Sequence, residues 1–278
     1  MIKIIKGGII VGMTIGFIGC GNMGRAIMGG IVNSKIACPK NIIVGDINEK
    51  ALNATKEEFG VNITTNNSDV AKSADILILS IKPNLYPMII DGIKNDVKDN
   101  VIVVTIAAGK TIESTQNSFG KKVKVVRAMP NTPALVGEGM AAVCPSKEVT
   151  EEELNSVIEI FESFGKAERI GENLFDAVTS VSGSSPAYVY MFMEAMADAA
   201  VIDGMPRDKA YKFAAQAVLG SAKMVLETGK HPGELKDMVC SPGGTTIEAV
   251  ATLEEKGFRN AVISAMKSCT KKSQEMSK

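Results

Sequence analysis

Six short runs rich in isoleucine and valine, separated by five amphipathic stretches, occupy residues 14–128 and leave few folds open. The runs are Thr14–Gly19, Asn41–Asp46, Val61–Thr64, Asp75–Ser80, Val101–Thr105 and Val123–Ala128. Between them lie Met23–Asn33, Glu49–Phe59, Ser68–Ser73, Leu85–Asn95 and Ile112–Phe119. Strands that read as near-continuous apolar runs are buried on both faces. Alternating with helices, they predict a parallel sheet covered on either side, the doubly wound α/β class. Two more strand-like pieces, around Met140–Cys144 and Ala167–Ile170, flank a helix opened by Thr150-Glu151-Glu152-Glu153. Threonine there is an N-cap, and the glutamates suit the positive end of the helix dipole.

The first run leads into Gly19-Cys20-Gly21-Asn22-Met23-Gly24, a GxGxxG pattern. The first glycine permits a tight turn, the second lets the backbone approach a pyrophosphate, and the third lets helix and strand pack closely. The following helix then turns its free N–H groups toward the phosphates. Alone the pattern is weak. Here it follows a strand, opens a helix and precedes a second strand ending in Asp46, the context that dinucleotide binding requires. Asp46 is placed to accept hydrogen bonds from the adenosine ribose and to repel a 2′-phosphate, which favours NAD. A carboxylate on a solvated loop can also turn away, so NADPH and NADH both stay open. Ser80-Ile81-Lys82-Pro83 and Ile106-Ala107-Ala108-Gly109 follow the fourth and fifth strands and should border the same ligand. Lys82 reads equally as a phosphate or ribose contact and as a surface lysine before a turn.

From about Glu172 the pattern becomes helical, over Leu174–Val201, Lys209–Leu226, Glu234–Val239, Thr246–Glu255 and Asn260–Ser273. This sets expected domains of 13–171, dinucleotide-binding, and 172–278, helical, substrate-binding and dimerising. The stretch Ala187–Ala200 is apolar on nearly every face, so it must be covered all round. With so short a helical half, a second copy is the expected cover, giving a homodimer at least. The competing reading buries this helix inside one subunit.

Lysine plus arginine and aspartate plus glutamate number 31 each, and there is no tryptophan. That balance offers no pull toward nucleic acid or an anionic membrane and few stacking platforms. Five scattered cysteines without a CxxC pair fit reduced thiols in the cytoplasm better than disulfides or zinc, and no metal is expected. His231, before Pro232-Gly233, reads as incidental rather than as a general acid. Residues 1–12 imitate a signal peptide, but the apolar run passes into the glycine loop without a cleavage site. They read equally as an appendage before Met13. No run reaches the roughly 18 apolar residues of a membrane span.

Two polar turns each precede an apolar helix: Ser182-Gly183-Ser184-Ser185-Pro186-Ala187-Tyr188 and Ser241-Pro242-Gly243-Gly244-Thr245-Thr246. Unpaired N–H groups at a helix start, reached past glycines, can hold a carboxylate. The commoner explanation is ordinary capping by serine or threonine.

The glycine loop, the Ile81-Lys82-Pro83 and Ala107-Ala108-Gly109 loops, Arg127–Ala134 (RAMPNTPA), the SGSSPAY segment and the stretch from His231-Pro232-Gly233 through SPGGTTIEAV together resemble pyrroline-5-carboxylate reductases, over roughly residues 13–275. The resemblance implies a Rossmann-type domain followed by a helical dimerisation domain, frequently in a ring of five dimers. It implies reduction of (S)-1-pyrroline-5-carboxylate to L-proline with NADPH or NADH. It places Thr246 at the ring nitrogen, Thr245 and neighbouring Gly244 at the carboxylate, and Glu172 at substrate or product. For the cofactor it adds Asn67, Ser80, Ile81, Lys82, Ala107 and Ala108 to Gly19, Cys20, Gly21, Asn22, Met23, Gly24 and Asp46. Ser185 replaces a glycine common in the family, and Asp46 stands where some NADPH-using members carry serine.

Two other functions fit the outline. A β-hydroxy-acid dehydrogenase needs a general base, usually a lysine on the first long helix of the second half, and Ala187–Ile202 has none. A non-catalytic dinucleotide-sensing module would bind nucleotide without turning over an imine.

Overall fold

The computed structural model describes residues 12–276, so the signal-like stretch read at the N-terminus lies, but for Gly12, outside the described residues. The chain forms two compact units. One runs to Gly183 and takes in the chain from Cys269 onward; the other is residues 184–268. The first break thus falls twelve residues beyond the 171/172 boundary read from the sequence.

The first unit is built on one eight-stranded sheet of order β3-β2-β1-β4-β5-β6-β7-β8. The strands are β1 (Ile15–Ile18), β2 (Ile42–Gly45), β3 (Asn62–Thr64), β4 (Ile76–Leu79), β5 (Ile102–Thr105), β6 (Lys124–Met129), β7 (Gly139–Pro145) and β8 (Gly165–Arg169). All pairs from β3 to β6 are parallel, β7 runs antiparallel to β6, and β8 is parallel to β7. Helices α1 (Asn22–Ser34), α2 (Glu49–Phe59), α3 (Asn67–Ser73), α4 (Tyr86–Ile93), α5 (Ile112–Phe119) and α6 (Glu151–Glu162) connect them.

Alternate residues of each strand serve opposite faces. Ile15, Phe17, Ile76, Ile78 and Val104 pack with Ile27 and Met28 of α1, Leu52 of α2 and Phe161 of α6. Ile18, Leu77, Leu79 and Val103 pack with Val70 of α3, Ile90 of α4 and Phe119 of α5. Two dry faces leave Thr105, at the end of β5, as the one polar side chain on β1, β4 and β5, which is why these strands read as apolar runs. Edge strands β3 and β8 are partly exposed and carry Asn62, Lys166, Glu168 and Arg169. The start of α6 is a capping box: Thr150 Oγ1 accepts from the Glu153 N–H, and Glu153 accepts from the Thr150 N–H.

The expected single helix Leu174–Val201 is broken. It resolves into α7 (Phe175–Val178), a π turn over Thr179–Gly183, and α8 (Ser185–Ile202). Pro186 is the cause: it has no N–H, and its ring excludes a helical carbonyl at Ser182. The chain widens instead, with the Thr179 hydroxyl donating to the Phe175 carbonyl (2.9 Å) and Ser182 to Val178 (3.2 Å).

The second unit holds α8, α9 (Arg207–Thr228), α10 (Pro232–Met238), α11 (Thr245–Glu255) and the start of α12 (Phe258–Met276). Only Ala197, Ala210 and Ala214 are buried in it. Met191 is 68% exposed, Phe213 67% and Leu226 84%. This overturns the reading that buries Ala187–Ala200 within one subunit. The final turns of α12 belong to the first unit, where Ser273 donates to Asp176 (2.6 Å) and Thr270 to Ser180 (3.1 Å).

Candidate active site

In the first unit every strand from β1 to β5 ends on the same edge of the sheet, so the residues that follow them are gathered there. Gly19 has φ +99°, outside the range of most side chains, and a Cβ on it would lie 2.5 Å from the Ser80 carbonyl oxygen. A Cβ on Gly24 would meet the Gly19 carbonyl oxygen at 2.7 Å. At Gly21, by contrast, a Cβ would meet nothing within 4 Å. Two glycines are therefore demanded by the protein's own packing and the third by space left outside it. Gly21 is also the N-cap of α1, whose first turn has no side-chain cap and no acidic residue. The unpaired N–H groups there face an open approach, which suits the pyrophosphate of a dinucleotide.

The neighbouring strand ends brace this loop. The Ser80 hydroxyl donates to the Gly19 carbonyl (2.6 Å) and lies 3.1 Å from that of Ile18. Asp46 Oδ2 accepts from the Cys20 N–H (2.9 Å) and the Cys20 thiol (3.4 Å), while Oδ1 accepts from the Asn48 N–H (2.9 Å). Burial acts to raise the Asp46 pKa, but the N–H groups of Cys20, Asn48 and Ile47 outweigh it and hold the carboxyl below its ordinary 3.8. Burial and the adjacent carboxylate push the Cys20 thiol up to about 11, so it stays protonated.

Asn67 opens α3 beside Gly45, where an added Cβ would meet its Oδ1 at 2.8 Å. Asn22 and Lys82 are exposed, Met23 and Ile81 half-buried, Ala107 buried and Ala108 half-buried. Lys82 precedes a 3-10 turn over Pro83–Leu85. The structure thus brings every expected cofactor residue to one edge. The sequence did not disclose that Asp46 and Ser80 are backbone braces as well as edge residues; that follows only from the strand order.

Glu172 has a use that sequence reasoning missed. Its Oε1 accepts from the Ile112 N–H at the start of α5 (2.8 Å) and from Arg127 Nη1 (3.1 Å). Arg127 is buried with its guanidinium 4.5 Å over the Phe175 ring, and its Nε lacks a hydrogen-bond partner among the described residues. An arginine so placed needs the carboxylate, because a buried charge without a partner is costly.

Gly244, Thr245 and Thr246 lie in the second unit. Gly244 is the N-cap of α11 in extended conformation, with no side-chain cap. A Cβ on it would fall 2.5 Å from Ser241 Oγ, and Gly243 before it has φ +66°. Capping by a hydroxyl, the ordinary alternative, is therefore absent at this helix start. Thr245 is exposed and Thr246 half-buried. His231 is the N-cap of α10: its Nδ1 accepts from the Gly233 N–H (3.0 Å), a structural task.

A sheet of order 3-2-1-4-5-6 with a steric glycine cradle after its first strand defines a Rossmann-type dinucleotide-binding protein. Comparison with known proteins narrows this. Residues 172–276 match the family model for pyrroline-5-carboxylate reductase dimerisation, and residues 14–109 match that of NADP oxidoreductase, coenzyme F420-dependent. Pyrroline-5-carboxylate reductase of Escherichia coli is 54% identical over 95% of this chain and 98% of its own length. The Coxiella burnetii enzyme superposes with TM-score 0.89 at 33% identity, covering 96% of this chain and 99% of the other. The Plasmodium falciparum pyrroline carboxylate reductase, solved with NADP bound, gives 0.88 at 32%, covering 96% and 99%. The chain belongs to the pyrroline-5-carboxylate reductase family.

Proposed function

We propose that this protein reduces (S)-1-pyrroline-5-carboxylate to L-proline with NADPH or NADH, the last step of proline synthesis, in the cytoplasm. Residues 13–171 hold the cofactor; residues 172–278 hold the substrate and join two copies, with a ring of five dimers as the larger assembly. The observation that carries the reading is the uncapped start of α11 at Gly244, behind the Ser241–Gly243 turn, in a family member that also keeps the open glycine cradle.

The substrate has one carboxylate and one C=N bond. Backbone N–H groups at Gly244–Thr246 bind the carboxylate and fix which ring carbon is presented. The Thr246 hydroxyl hydrogen-bonds the ring nitrogen and steadies it as it changes from iminium to amine. The nitrogen takes its proton from solvent before binding, so no histidine or lysine is needed. Glu172 contributes a ligand contact through Oε2, with Oε1 held by Ile112 and Arg127. Gly19–Gly24, Asp46, Asn67, Ser80–Lys82 and Ala107–Ala108 would hold the reduced nicotinamide cofactor, which would supply the hydride for the C=N carbon.

Initial rates with pyrroline-5-carboxylate and each reduced nicotinamide test the activity. Thr246→Ala should lower turnover by ~10²-fold or less, the loss of one positioned hydrogen bond. Unchanged kcat and KM in that variant would remove Thr246 from the mechanism, and no oxidation of either nucleotide would remove the proposed activity.

A further inference from the structure

The loop that follows β5 meets the last turns of α12, which fold into the same unit. Gly109 is buried with φ +75°, and a Cβ on it would lie 2.6 Å from the Met276 carbonyl oxygen. A side chain there would strike the helix backbone, so loop and helix touch main chain to main chain. Next to it, Ala108 packs against the small cluster of Met129, Ala142 and Phe175. The loop is anchored at both ends as well. At its start the Thr105 hydroxyl pairs with that of the buried Tyr86 (2.9 Å), and at its close the Ile112 N–H donates to Glu172 (2.8 Å).

Phe175 opens α7, and α7 is also where the end of α12 is tied. Ser273, buried, donates to Asp176 Oδ1 (2.6 Å). Thr270 donates to the hydroxyl of Ser180, also buried (3.1 Å), which itself donates to the Ala177 carbonyl (2.9 Å). Asp176 and Ser180 stand four residues apart, Thr270 and Ser273 three, so each pair lies about one turn apart on its own segment. The two hydrogen bonds are rungs between those segments. Sliding α12 by a single residue would break both, so they fix its register and thereby where Met276 meets Gly109.

We propose that the last turns of α12 clamp the Ala107-Ala108-Gly109 loop in the shape that binds the nicotinamide cofactor, with Thr270 and Ser273 as positioning residues. The inference rests on the reading above that this loop borders the cofactor, and adds the element that holds it in place. Both residues act at a distance, through Met276 and Gly109 on one side and through α7 and Ala108 on the other. The coupling runs in both directions: a clamp that favours the nucleotide is itself tightened when the nucleotide binds.

Hydrogen exchange on the full wild-type chain, with and without saturating NADPH or NADH, reads that reciprocity. Nucleotide should slow exchange over residues 106–112 and over residues 269–276 together. Slowing over 106–112 alone overturns the clamp and leaves the cofactor reading standing. No slowing over 106–112 removes the loop from the cofactor, and the clamp with it. Substitutions then separate positioning from stability. Ser273→Ala and Asp176→Ala should each weaken nucleotide binding about 5-fold or more in fluorescence titration without substrate, and Asp176→Asn, which keeps the accepting oxygen, should restore it to within about 2-fold of the wild type. A hydrogen bond that served the fold alone would lower the melting temperature and leave the affinity of the folded protein unchanged. That result, or an Asp176→Asn protein that binds no better than Asp176→Ala, overturns the proposal. Should the alanine variants fail to fold, the exchange experiment on the wild type decides.

Discussion

The sheet-bearing unit and the helical unit of this chain obey opposite burial rules. The first fills both faces of its sheet, with Phe17, Tyr86 and Phe161 fully enclosed. Tyr86 even brings its hydroxyl inside, paired with the Leu79 carbonyl and Thr105. The second is as rich in apolar side chains yet encloses only three alanines. Its apolar side chains are present but uncovered: Tyr190, Met191 and Phe192 follow one another on α8 and are 57%, 68% and 41% exposed. So wide an exposed apolar surface marks an interaction site. The contrast teaches that one unit encloses its own core while the other leaves its apolar surface for self-association, in keeping with the dimerisation family model over residues 172–276.

Core truncation should separate the two units most strongly. Phe161→Ala empties a fully buried site and should cost the sheet unit about 3–5 kcal/mol in chemical denaturation. If Leu226→Ala costs less than about 0.5 kcal/mol at protein concentrations where the oligomer persists, then Leu226 faces solvent there too and α9 turns that face away from the partner. Next in size is the shared core. Met191→Asp places a charge on the central apolar helix and should weaken self-association by at least about 100-fold, read by sedimentation, while nucleotide binding by the sheet unit persists. An unchanged mass would show that α8 is not at the contact.

A smaller effect distinguishes the glycines. Gly21→Ala should leave stability within about 1 kcal/mol, since its Cβ meets nothing, but weaken nucleotide binding about 10-fold by occupying the approach. Gly24→Ala should instead destabilise the sheet unit by about 1–3 kcal/mol, because its Cβ meets the Gly19 carbonyl oxygen. The smallest effect is acid sensitivity. The folded-state pKa of Asp46 is depressed, so its contribution is present above its ordinary value near 3.8 and is lost as pH falls through the folded value. The melting temperature of Asp46→Asn should therefore fall less steeply with acid than that of the wild type; parallel curves would deny the brace any role in stability.

The central strands were legible in the sequence because burial on both faces leaves them nearly unbroken apolar runs, whereas the edge strand β8, Gly165–Arg169, is placed only roughly by the strand-like piece at Ala167–Ile170. The capping box at Thr150 was legible for a local reason, since both partners lie three residues apart. The break in the helix at Thr179–Gly183 was not. The polar turn Ser182–Tyr188 reads as the approach to an apolar helix, but nothing local shows that the chain before it widens into a π turn rather than continuing as one helix from Leu174. The pairing of Glu172 with Arg127 and Ile112 joins residues far apart in sequence, which no periodicity records. Asp46 shows the same limit: the sequence placed it at the edge, but only the strand order reveals the amides that pin it.

Self-association of the wild-type chain tests the contrast most directly. Sedimentation velocity across micromolar concentrations, with hydrogen exchange on α8, should give an even multiple of the chain mass and strong protection over residues 185–202. A monomer whose α8 is nonetheless protected would contradict the account, since it would mean that the helical unit closes its own core.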